Sequence, residues 1–321
     1  MDGRQIRVAI VMLALLATVP VLAIWFDEPF MNDMFARIMI LAIAAVSLDF
    51  ILGFGGMVSF GHAAYMGIGA YAVGILSFYG VDNGFIQFPL AIGASAVFSF
   101  IFGALSIRTS GVYFIMITLA FAQMLFFLGV SLEEFGGDDG MYSARSEFGG
   151  LIDLYEPLHF YYLVFACLVL TVLITHRMVH SRFGRVIQGA RSNDRRMRAI
   201  GFPTYRYKLT AFTIAGMMCG LSGALFANWN EFVSPDYMHW TRSGEIMIMV
   251  ILGGMGTVVG PLLGAAGFLL LEEYLPGMMD GVWSGTGEHW PILFGPILIV
   301  IVLYARGGIY SLLRRREARH G

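Results

Sequence analysis

The stretch of sequence that decides the fold is ARIMILAIAAVSLDFILGF, residues 36–54. It is an apolar run of 19 residues whose only charged side chains are Arg37 and Asp49. About 20 residues of this kind cross a bilayer as an α-helix. The run is continuous and shows no alternation of polar and apolar residues, so it predicts a membrane-spanning helix and not a strand.

Nine more apolar segments lie on either side of this one. The ten predicted segments are 8–26, 36–54, 58–79, 87–107, 111–131, 159–176, 209–228, 243–256, 260–276 and 289–305. The segments 243–256 and 260–276 are short for a full span, so they are either half-helices that form a re-entrant pair or two tilted spans. The first segment resembles a signal peptide, but Trp25 and Asp27 stand where a cleavage site needs small residues, so we expect it to be retained.

The composition agrees with a chain that is largely solvated by lipid. It is 58% hydrophobic and only 13% charged, whereas a soluble domain carries about 25% charged residues. We therefore predict an all-α polytopic membrane protein that forms a single domain over residues 1–321. It has about ten transmembrane helices, some of them broken or re-entrant.

The charges of the loops predict the orientation. Residues 177–208 carry nine basic side chains and one acidic one, and residues 306–321 carry five arginines. Residues 132–158 carry seven acids and one base. Since basic loops stay in the cytoplasm, the 177–208 loop, the basic tail 306–321 and both termini are predicted to be cytoplasmic, and 132–158 extracytoplasmic.

Several classes of function are disfavoured by what the sequence lacks. The net charge of −2 argues against nucleic-acid binding. Neither metal-ligand spacing nor a Ser/His/Asp set can be found, and Gly253–Gly260 is not followed by the Lys-Ser/Thr of a phosphate-binding loop. We expect no catalytic residue, no metal, no cofactor and no ATPase site in this chain, and so no enzyme.

Glycine clusters at 53–61 and 253–261 coincide with gaps in the apolar pattern, as in broken helices that line a pathway. Ionisable side chains within apolar segments are costly in lipid and indicate function. The candidate pathway residues are Asp49, Gly53, Gly56, Ser59, His62, Glu245 and Gly254.

Each charged candidate also has a structural interpretation. Asp49 could cap a broken helix or pair with Arg108, His62 could be a packed imidazole, and Glu245 could be a charge at a helix start. If the protein were instead an ion-coupled secondary transporter, Asp49 and Glu245 would be its coupling acids.

The cytoplasmic stretch 181–203 predicts a short amphipathic helix. Its apolar residues Val186, Ile187 and Ala190 recur at helical spacing, and Gly201 with Pro203 ends it. Such a basic helix either lies on anionic lipid or docks into a groove of a cytoplasmic partner.

Five motifs, in this order, resemble the LivM-type permease subunits of branched-chain amino acid ABC importers. They are GFGGMVSFGHAAYMGIGAY (53–71), GVYFIMITLAFAQ (111–123), GGDDG (136–140), GRVIQGARSNDRRMRAIGFP (184–203) and LGGMGTVVGP (252–261). The resemblance implies that the cytoplasmic helix couples to an ATPase. Its contact residues would be Gly184, Arg185, Ala190, Arg191, Asn193, Ala199 and Gly201.

The resemblance also implies the partners and the location. These are a second, homologous permease subunit, two ATPase subunits that carry the ATP and Mg²⁺, and an extracytoplasmic substrate-binding protein, with the complex in the bacterial cytoplasmic (inner) membrane. The implied substrate is a branched-chain amino acid, while urea, short amides and aromatic acids remain open. A half-helix N-terminus near 53–61 could receive the substrate carboxylate.

Overall fold

The computed structural model describes residues 3–150, 152–282, 289–304 and 307–310. Almost all of the regular structure in these ranges is helical. The α-helices are α1 (Gly3–Phe26), α2 (Pro29–Asp49), α3 (His62–Phe78), α4 (Gly84–Ser106), α5 (Val112–Ser131), α6 (Pro157–His180), α7 (Arg182–Ala199), α8 (Thr204–Asn230), α9 (Trp240–Gly253), α10 (Gly260–Val282) and α11 (Trp290–Tyr304).

The prediction of an all-α polytopic membrane protein is confirmed. Each of the ten predicted apolar segments coincides with a helix, and α7 is the additional polar one. Within the described ranges, seven helices are both long and apolar enough to cross a membrane, and α3 is a shorter apolar helix. Most of the basic tail 306–321 lies outside the described residues.

The decisive run 36–54 forms the centre of the bundle. Helix α2 is buried along most of its length and packs against α6, α8, α9 and α10. By contrast, α4 and α5 keep large apolar side chains such as Phe100 and Phe127 on the outside. Because lipid tails solvate such side chains, the outer helices can remain apolar on every face.

Helices α3 and α8 approach each other backbone to backbone. A Cβ atom at Gly69 would lie 2.0 Å from the carbonyl oxygen of Gly220, and one at Gly223 would lie 1.8 Å from that of Met66. Helices in lipid associate through such close packing of small residues, because no hydrophobic force drives them together. Glycine at these positions therefore decides how closely the two helices pack.

Two helices are interrupted where the glycine clusters occur. Helix α2 continues into a π-helical turn, Phe50–Phe54, and the chain is then non-helical up to α3. Helix α9 ends at Gly253 after 14 residues, about 21 Å, which is shorter than the roughly 30 Å hydrocarbon core. After a break at 254–259, α10 extends over 23 residues. The predicted breaks at 53–61 and 253–261 are thus present.

The acidic loop 132–158 is tied to the end of α8. Its strand β1 (Met141–Tyr142) pairs in antiparallel fashion with β2 (Phe232–Val233), which follows α8. The backbone N–H of Ser146 also donates to the Asn228 side-chain oxygen over 2.7 Å. Helix α7 precedes α8, whose 27 residues extend for about 40 Å. The acidic and basic loops therefore lie at opposite ends of α8.

Candidate functional site

Helix α7 is made of two helical halves that meet at Asn193. This residue has φ −157° and ψ 95°, outside the helical region. Its side-chain oxygen accepts a hydrogen bond from the Arg196 N–H over 2.9 Å, so it caps the second half. The prediction of one continuous helix over 181–203 was therefore wrong, because an asparagine in Ser192-Asn193-Asp194 is a strong N-cap residue.

The predicted end of this helix is confirmed. Gly201 has φ +95°, a conformation that favours glycine. The N–H of Phe202 donates to the carbonyl of Met197 over 3.1 Å, and the N–H of Gly201 donates to that of Arg198 over 3.0 Å. These two bonds form a Schellman motif, which satisfies carbonyls that would otherwise lack a partner.

The residues implied as ATPase contacts lie on two sides of α7. Gly184 and Ala190 are buried against the bundle, and a Cβ at Gly184 would lie 2.3 Å from the carbonyl oxygens of Met178 and Val179. Arg185, Arg191, Asn193, Ala199 and Gly201 are exposed, as are Arg195, Arg196 and Arg198. Direct contact with a partner is therefore available only to the exposed set.

Arg191 extends from α7 into the break that follows α2. Its guanidinium donates a hydrogen bond to the carbonyl of Gly53. Its aliphatic stem passes over Gly56, where a Cβ would lie 2.8 Å from the Arg191 Cγ. The resemblance implied only an outward contact for Arg191, and no local sequence signal links two residues 138 positions apart.

Asp49 connects the same break to the one between α9 and α10. Its Oδ1 accepts a hydrogen bond from the backbone N–H of Gly256 over 2.8 Å. A Cβ at Gly53 would lie 1.9 Å from this oxygen and 2.3 Å from the Gly256 nitrogen. Asp49 thus connects the break after α2 to the break after α9. Its partner is the backbone of Gly256 and not Arg108, which the sequence had also suggested.

We call Asp49, Gly53, Gly56, Gly256 and Arg191 the glycine junction. It brings together three of the predicted pathway residues, Asp49, Gly53 and Gly56, and adds Arg191 from α7. Gly254 lies nearby in the α9–α10 turn with φ +118°. The arrangement joins α7 to the breaks of two membrane helices through Arg191 and Asp49.

His62 and Ser59 are packed within the bundle. The His62 ring is fully buried, with its Nε2 2.8 Å from the Ser47 Oγ. It also meets the Tyr65 ring edge-on, with centroids 5.9 Å apart. Ser59 is fully buried as well, and its Oγ accepts a hydrogen bond from the Gly61 N–H over 3.3 Å. Of these two candidates, neither reaches an open surface.

Glu245 lies away from the glycine junction, near the start of α9. Its carboxylate pairs with Arg242 over 2.8 Å, one helical turn earlier. Close by, Arg37 of α2 pairs with Glu272 of α10 over 3.2 Å. Glu272 also stands out in the sequence as an ionisable residue in an apolar segment, but its pairing with Arg37 could not be predicted, because it depends on the packing of α2 against α10.

Asp194 fastens the second half of α7 to α8. Its carboxylate lies 2.6 Å from an Arg198 nitrogen and 3.0 Å from the Lys208 ammonium. Partial burial raises the pKa of Asp194, but hydrogen bonds from Lys208 and Thr204 and the nearby positive charges outweigh it, so this pKa lies below its usual value. The ion pairs of Asp194 therefore stabilise the loop fully at every pH above the usual aspartate pKa. This stabilisation is lost as the pH falls through the lowered pKa of Asp194.

Replacing Asp194 with asparagine is expected to loosen this part of the loop. Partly exposed ion pairs contribute about 0.2–1 kcal/mol, so amide hydrogen exchange of residues 194–199 should accelerate by up to about fivefold at neutral pH. In the unmodified protein, protection corrected for intrinsic exchange should stay constant from pH 8 to pH 5. Unchanged exchange in Asp194→Asn, with Asp138→Asn as control, would contradict a fastening role.

Among the described residues, no group of three or more His, Cys, Asp or Glu side chains is placed to hold a metal ion. The glycine junction connects α7 to the two breaks through the Arg191 guanidinium, the Asp49 carboxylate and closely packed backbone.

Comparison with known proteins shows the family to which the chain is similar. The profile of the family described as "Branched-chain amino acid transport system / permease component" matches residues 30–303. The chain is 26% identical to the high-affinity branched-chain amino acid transport system permease protein LivM of Salmonella typhimurium, over 98% of this chain and 77% of that protein. The LivM protein of Escherichia coli gives the same values. A probable LivM of Methanocaldococcus jannaschii is 23% identical over 83% of this chain and 89% of its own length.

Proposed function

This chain belongs to the family of permease components of branched-chain amino acid transport systems, and we propose that it imports these amino acids by alternating access driven by ATP on separate subunits. It is a multi-pass membrane protein and a transport subunit. The sequence motif of a phosphate-binding loop is missing after Gly253–Gly260, which supports an ATP and Mg²⁺ site on partner subunits and not on this chain.

The glycine junction carries the proposal. Arg191 belongs to the cytoplasmic helix, and it bonds to the backbone of a broken membrane helix. The carbonyl of Gly53 lies in a segment that lacks regular α-helical bonding, so a shift there breaks few hydrogen bonds. A pair of ATPases that closes on ATP would move α7, and Arg191 and Asp49 would pass this movement to the α2 and α9–α10 breaks.

We propose the partner set from the resemblance, and the positions of the charged loops support it. The exposed basic face of α7 would receive the two ATPases, one on this chain and one on a homologous permease subunit. The acidic loop 132–158 lies at the opposite end of α8 and would face an extracytoplasmic substrate-binding protein. Charge asymmetry supports the inner membrane of a bacterium with both termini in the cytoplasm.

The proposal is tested by uptake of radiolabelled leucine into proteoliposomes that contain this chain with its second permease and the two ATPases. With the binding protein outside, uptake should require ATP inside the vesicles and should be insensitive to a protonophore. Uptake that needs no ATP and collapses with the protonophore would reject the proposal in favour of an ion-coupled transporter, with Asp49 and Glu245 as its coupling acids.

Competition in the same vesicles tests the substrate class. Unlabelled isoleucine and valine in excess should suppress leucine uptake at least tenfold, whereas urea, acetamide and benzoate should leave it unchanged. Suppression by urea or benzoate, and not by valine, would reject branched-chain amino acids as the substrate.

A further inference from the structure

A cavity of about 220 Å³ lies between α2, α3, α8 and α9, apart from the glycine junction. Since a water molecule occupies about 30 Å³ of liquid, this volume corresponds to roughly seven waters. A small amino acid such as leucine, which has nine non-hydrogen atoms, is of comparable size. The cavity adjoins Asn230 and Tyr237, which stand next to the strand β2 that pairs with the acidic loop. It therefore lies towards the predicted outer side.

Charges of both signs line one part of this cavity. Arg37 contributes a guanidinium that pairs with Glu272 through one nitrogen, and a guanidinium has five N–H donors in all. Its Cζ also lies 5.9 Å from the Trp229 ring centre. Glu245 contributes a carboxylate that is still partly exposed, 36% for the side chain, despite its pair with Arg242. Both groups can accept a further partner of opposite charge.

Arg242, Asn230 and Tyr237 also line the cavity, and the rest of its wall is apolar. The apolar part is formed by Leu41, Met66, Phe226, Ile246 and Met249. Met66, Ile246 and Met249 are almost wholly buried, so this part of the cavity wall offers an apolar surface. Such a surface receives an aliphatic side chain, and unbranched methionines adapt to several shapes. A pocket with an apolar wall and a few charged groups is typical of a small-molecule site.

We propose that this cavity is a transient binding site for a zwitterionic amino acid with an aliphatic side chain. Its carboxylate binds Arg37, its ammonium binds Glu245, and its side chain contacts the apolar wall. An anionic aromatic acid has no ammonium to bind Glu245, and urea has neither a carboxylate for Arg37 nor an ammonium for Glu245. This inference rests on the proposed function, because it requires that an amino acid enters from the outer side.

The first test uses the reconstituted importer described above. Arg37→Gln and Glu245→Gln should each lower leucine uptake at least tenfold, as should Leu41→Trp, which fills the cavity. Their matched controls are Glu273→Gln, an exposed residue next to Glu272, and Leu105→Trp on the outside of α4. Failure of the unmodified importer to take up leucine would reject the proposed function, whereas normal uptake by Leu41→Trp would reject the cavity alone.

The second test does not depend on transport by the charge variants. Leu41→Cys is introduced after Cys167 and Cys219 have been replaced with serine, and its alkylation by N-ethylmaleimide is timed in the complex. Leucine supplied with the binding protein should slow alkylation at least fivefold, whereas leucinamide and acetyl-leucine should not. Ser131→Cys, at the exposed end of α5, should be alkylated at the same rate with and without leucine. Equal rates at Leu41→Cys with and without leucine would overturn the proposal.

Discussion

Replacing Arg191 with alanine is expected to lower ATP-driven leucine uptake by about ten- to a hundredfold while the ATPases remain bound. The reason is that the Arg191 guanidinium joins α7 to the Gly53 carbonyl. A hydrogen bond from a charged group contributes about 1.5–3 kcal/mol, and every 1.4 kcal/mol corresponds to a tenfold change in an equilibrium. Uptake is measured in proteoliposomes, and ATPase association by co-purification.

Arg195 provides the matched control, since it is an exposed arginine of the same helix. Arg195→Ala should retain most of the uptake of the unmodified importer. Stimulation of ATP hydrolysis by the loaded binding protein should also disappear in Arg191→Ala and persist in Arg195→Ala. If Arg191→Ala instead releases the ATPases, the residue acts in docking and the junction does not carry the coupling.

Replacing Gly223 with alanine is expected to prevent the accumulation of folded protein. The added Cβ would lie 1.8 Å from the carbonyl oxygen of Met66, and this backbone atom cannot move away as a flexible side chain could. Overpacking of a core costs about 1–3 kcal/mol and occasionally more. Because α3 and α8 form the closest helix contact described above, we expect about 3 kcal/mol. The measurement is thermal unfolding in detergent, together with the yield of monodisperse protein.

Gly93 in the middle of α4 is the control, since a Cβ there would meet no atom within 4 Å. Gly93→Ala should leave the unfolding temperature unchanged or raise it, because alanine is favoured over glycine in a helix by about 1 kcal/mol. A Gly223→Ala protein that unfolds at the same temperature as Gly93→Ala would show that the two helices can separate freely.

The membrane helices could be predicted because their lengths follow from local composition. The run 36–54 predicts α2, and the glycines at 53–61 and 253–261 predict two breaks, all from residues adjacent in sequence. The contacts between the breaks could not be predicted in this way. Asp49 and Gly256 are 207 residues apart, and their hydrogen bond depends on how α2 packs against α9 and α10.

Helix α7 shows the same division between local and long-range signals. Its end at Gly201 followed from a glycine next to Phe202-Pro203, and its kink at Asn193 had a local signal that the apolar spacing of Val186, Ile187 and Ala190 obscured. No local signal predicted that Arg191 reaches the Gly53 carbonyl, because an arginine in a basic loop is ordinarily solvated.

Helix α8 is continuous from Thr204 to Asn230. One end is bonded to the basic loop 177–208 through Lys208 and Asp194, and the other to the acidic loop through Asn228 and Ser146. Because the helix is continuous, a tilt at one end moves the other end as well. If our proposal is correct, a protein that delivers solute to the acidic loop would shift the basic loop before any solute had crossed.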